Sequence, residues 1–414
     1  MRIESDYRTI AVGSDHYKDL EEKYGAHNYK PIPVVIARGK GVYLWDVEEK
    51  RYFDFLSAYS AVNQGHCHPR LVRVMQEQAA KLTLTSRAFY NDSLGVCEEY
   101  MANSFGYDKV LMMNTGAEAV ESAIKLARKW GYEKKGIPEN KAVIVAVANN
   151  FHGRTTGVVA LSTDRSSREG FGPFMEGIFV VPFNDSVSLD KALENPNVCG
   201  FLFEPIQGEA GVIIPEDGYL KEVSALCQKH NVLMMADEIQ TGLARTGKRL
   251  AADYEEVRPD ILILGKALSG GMMPVSAVLC DDEIMLTIKP GEHGSTFGGN
   301  PLGAVVAIES LKIIEEENLA ENAFRQGEKF RKFLLQMNSP IIHIVRGKGL
   351  LNAIRIDDRE TNLTGEQICI ALKNNGILAK QTHGNIVRFA PPLIISDAQM
   401  EEACALIDKT FKEF

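Results

Sequence analysis

The chain has 414 residues, 45% of them hydrophobic and 24% charged, with a formal net charge of −9. That length calls for two domains, or one large α/β domain with a smaller partner, and is enough to bury a deep site. No apolar run reaches the roughly 18 residues that would cross a bilayer, and no Lys/Arg stripe offers a footprint for nucleic acid; the expected partner is a small molecule.

In chain order, residues 1–29 mix acidic and basic side chains without the apolar core of a signal peptide or an Arg/Ser-rich transit character. That pattern points to the cytosol, with a processed mitochondrial-matrix chain as the alternative. The segments GKGVYLWDVEEKRYFDF and GKGLLNAIRI read as hairpins near the two ends of the chain. His66 and His68 stand two apart with no third ligand in view, so they are assigned to structure. From Glu118 onward, Val120, Ala123, Ile124, Ala127 and Trp130 fall at helical spacing behind a polar entry, Asn114-Thr115-Gly116. Short apolar runs then alternate with helix-length stretches: Ala142–Ala148, Val198–Phe203, Val232–Ala236, Ile261–Leu264 and Val275–Leu279. This alternation predicts a mainly parallel sheet covered by helices, with a smaller α/β domain built from both chain ends. The expected divisions are 1–61, 62–311 and 312–414. Seven cysteines, an odd number without a CxxC pair, read as reduced structural thiols.

Two residues at the ends of apolar runs carry the chemistry. Asp237 closes VLMMADE, where ligands of open α/β sheets bind, and a carboxylate there can keep a pyridine nitrogen protonated; a helix N-cap is the competing role. Lys266 follows ILILG, and burial would lower its pKa and free a neutral amine to attack a carbonyl; a lysine reaching solvent is the alternative. NTGAEA at 114–119 and the GSTFGGNP loop with Ser295 and Thr296 each suit a phosphate. Neither is a Walker loop, and no GxGxxG follows the first strand, so a monophosphate-bearing cofactor fits better than a nucleotide.

Together, ADEIQTGLARTGK, GKALSGG, NTGAEA, FHGRT and EHGSTFGGNP resemble the fold-type I, pyridoxal-phosphate-dependent aminotransferases of class III, which act on ω-amino groups, over nearly the whole chain. YGAHNY, FLSAYSAVNQGHCHP, LTSRAFYND, EPIQGEAGV and THGNIVRFAPPL are similar to the branch of that family that handles ornithine. The resemblance implies Lys266 as the lysine that carries pyridoxal 5'-phosphate, Asp237 on its ring nitrogen, Gln240 near its phenolic oxygen, and Phe151 and Ile239 on the two ring faces. It implies backbone N–H groups of Gly116 and Ala117 on the phosphate, with Ser295 and Thr296 completing the site of the neighbouring subunit in a homodimer. For the substrates, L-ornithine and 2-oxoglutarate, it implies Tyr29 and Arg154 on the α-carboxylate, Tyr59 lining the pocket, and Glu209 with Arg388 as a switch that masks or exposes a positive charge. FHGRT departs from the branch by placing His152, expected to pack beside the cofactor, after the stacking Phe; that wording is closer to N-acetylornithine enzymes. N-acetylornithine or 4-aminobutyrate as amine donor, and a silent cofactor-binding protein, are the competing functions.

Overall fold

The computed structural model describes residues 13–357 and 362–414. The start of the N-terminal reading, residues 1–12, lies outside them. Near the N-terminus, β1 (Ile36–Lys40), β2 (Tyr43–Asp46) and β3 (Arg51–Asp54) form an antiparallel meander, so the first expected hairpin is present.

The central sheet has seven strands: β4 (Lys109–Met113), β5 (Val143–Val147), β6 (Ile178–Val181), β7 (Val198–Phe203), β8 (Leu233–Asp237), β9 (Ile261–Leu264) and β10 (Ser276–Cys280). Their spatial order is β4-β10-β9-β8-β7-β5-β6. All pairs are parallel except those made by β10, which runs antiparallel to both β4 and β9. β4 therefore points the same way as β9, and six strands deliver their carboxyl ends to one edge. The five runs expected from sequence are the five inner strands, with ends shifted by at most a residue or so. β4 and β6, the two sheet edges, are apolar runs as well, KVLMM and IFVV, but only partly buried, and they were not among the expected strands. β7, β8, β9 and β10 are buried at every position, and each fully buried Val, Leu, Ile or Phe stabilises by about 1.5–3 kcal/mol.

The helix Gly116–Glu133 lies on this sheet with Ala119, Val120, Ala123, Ile124, Ala127 and Trp130 buried. Its start is fixed by a capping box: the Thr115 side chain accepts the Glu118 N–H at 3.2 Å, and the Glu118 carboxylate accepts the Thr115 N–H at 2.7 Å.

A third sheet, antiparallel throughout, has the order β11-β12-β15-β14, from β11 (Ile342–Lys348), β12 (Leu351–Ile356), β14 (Lys380–Thr382) and β15 (Ile386–Phe389). β11 and β12 are the second expected hairpin. The remaining strand, β13 (Ile377–Leu378), pairs parallel with β3, so segments from both ends of the chain share one sheet. No helix among the described residues is long and apolar enough to cross a membrane.

Candidate active site

The shared edge of the central sheet gathers the polar residues. Gly116 follows β4, Phe151 and His152 follow β5, Glu204 follows β7, Asp237 ends β8 and Lys266 follows β9. They line one cavity of about 190 Å³, together with Ala117, Glu209, Ile239 and Gln240. A larger space of about 540 Å³ adjoins it through Phe151, His152 and Glu209 and reaches Arg154 and His383.

Asp237 is buried at the cavity floor. Its Oδ2 lies 2.7 Å from His152 Nδ1, and its Oδ1 accepts the Ile239 N–H at 3.1 Å. Burial works against the imidazolium form of His152, but the Asp237 hydrogen bond and charge prevail and raise its pKa. His152 thus does more than fill space beside the ring site: it holds the carboxylate from behind.

Lys266 opens a short turn, Lys266–Ser269, with φ of 44°. A non-glycine residue in that region costs on the order of 1–3 kcal/mol and persists only where its surroundings enforce it. Desolvation lowers the Lys266 pKa, against the opposing fields of Glu209, Asp237 and Glu204.

Glu204 was not singled out from sequence, although it carries the same signal as Asp237, an acid directly after a buried strand. Its carboxylate accepts the Phe151 N–H at 2.9 Å. Burial first, with the Asp237 charge adding, pushes its pKa up to about 8 despite His152.

Arg388 on β15 donates at 2.6 Å to Glu209, which lines the cavity, and its guanidinium lies 5.0 Å from the Tyr59 ring centroid; neither Arg388 nor Tyr59 lines the cavity itself. Burial tends to raise the Glu209 pKa, but the Arg388 charge and hydrogen bond leave it lowered. Gln240 donates to the same Glu209 oxygen at 3.3 Å. Tyr59 sits in a left-handed turn, Ser57–Ser60, whose entry is held by Asp54 Oδ1 accepting the Leu56 and Ser57 N–H groups, both at 2.8 Å. The turn is strained, and it brings the phenol beside Arg388.

Other expected residues lie outside the cavity, Arg154 in the adjoining space. Arg154 is exposed, with its guanidinium 5.3 Å from the Phe151 ring centroid. Tyr29 is 77% exposed. Ser295 accepts the Asn114 side-chain amide at 2.9 Å, and neither it nor exposed Thr296 lines the cavity of its own chain. His66 and His68 bond Asp54 and Glu317, at 2.7 and 3.1 Å.

The cavity fits pyridoxal phosphate. Gln240 Oε1 and His152 Nε2 are buried there without hydrogen-bond partners. Glycine is required at one wall: Gly153 has φ of 132°, and a Cβ on it would lie 2.9 Å from the Ala117 Cβ. Phe151, Ile239, Asp237 and the N–H groups at the start of the capped helix are the groups that would hold the cofactor.

The family description Aminotransferase class-III matches residues 24–411. A Drosophila melanogaster relative named "Ornithine aminotransferase, mitochondrial" is 61% identical over 408 residues, 98% of this chain and 94% of the relative. The ornithine aminotransferase structure from Toxoplasma gondii superposes with a TM-score of 0.95 at 47% identity, covering 97% of this chain and 96% of that one. The acetylornithine aminotransferase structure from Elizabethkingia anophelis does so with a TM-score of 0.89 at 52% identity, covering 97% and 100%. With the lysine, carboxylate and phosphate platform gathered at one sheet edge, these matches show that the chain belongs to the class-III aminotransferases, enzymes of fold type I that depend on pyridoxal phosphate.

Proposed function

We propose that this enzyme transfers the δ-amino group of L-ornithine to 2-oxoglutarate, giving glutamate 5-semialdehyde, which cyclises to pyrroline-5-carboxylate, and glutamate. The observation that carries the reading is the Glu209–Arg388 ion pair at 2.6 Å, whose Glu209 lines the cavity together with Lys266. One site must take a cationic diamine and then a diacid. Paired, Glu209 neutralises Arg388 while the diamine is bound; parted, it frees a planar fork of donors for the second carboxylate of 2-oxoglutarate.

Pyridoxal phosphate, when bound, supplies the electron sink for breaking the C–H bond next to the reacting amine. Asp237, braced by His152, holds a proton at the ring nitrogen. Gln240 would serve the cofactor's phenolic oxygen, Phe151 and Ile239 its two faces, and the N–H groups of Gly116 and Ala117 its phosphate. The Lys266 amine would carry the cofactor, and as a free amine it would take the proton from ornithine Cδ. Arg154 and Tyr29 hold the α-carboxylate, and Tyr59 keeps the α-amino end from the reacting position. Ser295 and Thr296, which do not line their own cavity, serve the partner subunit of a homodimer. Exposed Phe89, Tyr90 and Phe297 are apolar surface for such a contact.

N-acetylornithine as donor is the second reading, favoured by His152 and by the Elizabethkingia relative; Tyr29 and Tyr59 weigh against it. Ornithine, N-acetylornithine and 4-aminobutyrate compared with 2-oxoglutarate should rank ornithine first by at least about tenfold in kcat/KM, and a higher value for N-acetylornithine would overturn the choice. The cytosolic expectation stands against a relative named mitochondrial; fractionation of the native source decides between the two compartments.

A further inference from the structure

The loop that carries Ser295 and Thr296 is pinned to the helix Gly116–Glu133 at two places. At the helix start, Ser295 Oγ accepts the Asn114 side-chain amide at 2.9 Å and the Gly298 N–H at 3.0 Å. Both lone pairs of the hydroxyl are then occupied, which leaves its proton for a further, accepting partner such as a phosphate oxygen. Farther along the helix, His293 Nδ1 lies 2.9 Å from Lys125 Nζ, and His293 Nε2 lies 2.8 Å from Oγ of the buried Ser122.

These contacts have one direction. An ammonium only donates, so Nδ1 accepts from Lys125, and the ring proton sits on Nε2 and goes to Ser122; the Ser122 hydroxyl in turn donates to the Glu118 carbonyl at 2.7 Å. Only a neutral imidazole in that tautomer completes the chain. Burial and the Lys125 charge both hold the His293 pKa below the usual histidine value, so the neutral form is the resident one. Glu292 adds outer ties, its carboxylate accepting from Lys129 at 2.8 Å and its carbonyl from Lys125 at 3.3 Å. Its side chain is exposed, and such surface pairs hold weakly. The His293 ring is the tie that ends on a fully buried hydroxyl, and a single residue, Gly294, separates it from Ser295. The chain closes on Glu118, the residue whose carboxylate completes the capping box of the same helix.

We infer that His293 is a positioning residue for the cofactor's phosphate in the neighbouring subunit: its bonds to Ser122 and Lys125 fix the loop where Ser295 and Thr296 reach across the dimer. The inference rests on the reading that those two residues serve the partner. His293 itself lines neither the cavity nor the space adjoining it. Removing its ring leaves the core in place, because Ser122 keeps the Glu118 carbonyl and Lys125 keeps its access to water; what is lost is the register of the loop.

The test first titrates pyridoxal phosphate into apoenzymes of wild type, His293→Phe and His293→Gln, with the protein's fluorescence as readout. His293→Phe should bind about tenfold more weakly, the scale of one or two net hydrogen bonds. His293→Gln, whose amide offers one acceptor and one donor, should stay within about threefold of wild type. A folded His293→Phe that binds as tightly as wild type overturns the inference, as does a His293→Gln as weak as His293→Phe. If His293→Phe fails to fold, His293→Ala takes its place. Mixed dimers, purified through two different tags, then show which site suffers, read as cofactor fixed on Lys266 by borohydride at graded pyridoxal phosphate. Pairing His293→Phe with Lys266→Ala leaves one intact Lys266 served by an intact loop, and its midpoint should match wild type. Pairing the double variant His293→Phe/Lys266→Ala with wild type leaves one intact Lys266 served by the altered loop, and its midpoint should rise about tenfold. A defect that stays with the chain carrying it overturns the inference. Thr296→Ala in the same pairings tells the two readings apart. If its defect also stays in its own chain, the shared site falls and the inference with it; if its defect crosses while that of His293 does not, the inference falls alone.

Discussion

Lys266, Asp237, His152 and Glu204 place four ionisable groups around one small cavity, and their mutual fields give the site its proton inventory. Glu204 is the clearest case. Unfolded, its carboxyl ionises near 4.5; folded, it holds its proton to about 8. Between those values the native state binds a proton that the unfolded chain has lost, so this residue makes stability fall as pH rises. Glu204→Gln should therefore leave the apoprotein's thermal midpoint near wild type at about pH 4 and raise it progressively toward pH 8, as read by paired melting curves. An unchanged difference across that range would remove Glu204 from the buried set. Lys266→Ala should abolish covalent capture of the cofactor, read by mass after borohydride treatment. Turnover should drop on the order of 10⁴ through loss of the acid/base amine, and retained wild-type turnover would refute its central role. Both strand-end residues were legible because an acid or a lysine directly after a buried apolar run is anomalous. Glu204 bears the same mark inside EPIQGEAGV, where the later Glu209 drew the reading.

At the scale of elements, the helix Gly116–Glu133 shows how a local signal reaches the site. Its apolar spacing and its polar entry are both written in consecutive residues. The capping box of Thr115 with Glu118 orders the first turn, whose free N–H groups face the cavity. Thr115→Ala should cost about 0.5–2 kcal/mol in denaturant unfolding and should also weaken cofactor affinity, since the same turn is the phosphate platform. A stability loss with unchanged cofactor affinity would separate cap from platform. The inner strands of the central sheet were readable for a related reason: strands covered on both faces require unbroken apolar runs. The edge strands Lys109–Met113 and Ile178–Val181 are apolar too, KVLMM and IFVV, and only their pairing shows that they belong to the sheet. The turn bearing Tyr59 is the opposite case, since four left-handed residues in SAYS have no glycine to announce them and are held by Asp54.

For the whole molecule, the proposed dimer makes a prediction that no single subunit can satisfy. Thr296→Ala and Lys266→Ala chains, each weak or inactive alone, should regain activity when unfolded, mixed and refolded together, because one mixed site combines an intact Lys266 with the partner's intact Thr296. Absence of recovery in sedimenting dimers would assign Thr296 to its own subunit. The amino-acid sequence by itself determined where buried strands end, which residues stand at those ends and which loops can approach a phosphate, because each depends on neighbours a few positions away. Tertiary structure alone decided that His152 grips Asp237 across 85 positions and that Arg388 meets Glu209 across 179. It alone decided, too, that Arg245 joins segments around Asn63, Leu350 and Pro391. Such partnerships depend on side-chain direction and on the dehydration of polar groups, and both are set only when separate sheets close over the same cavity.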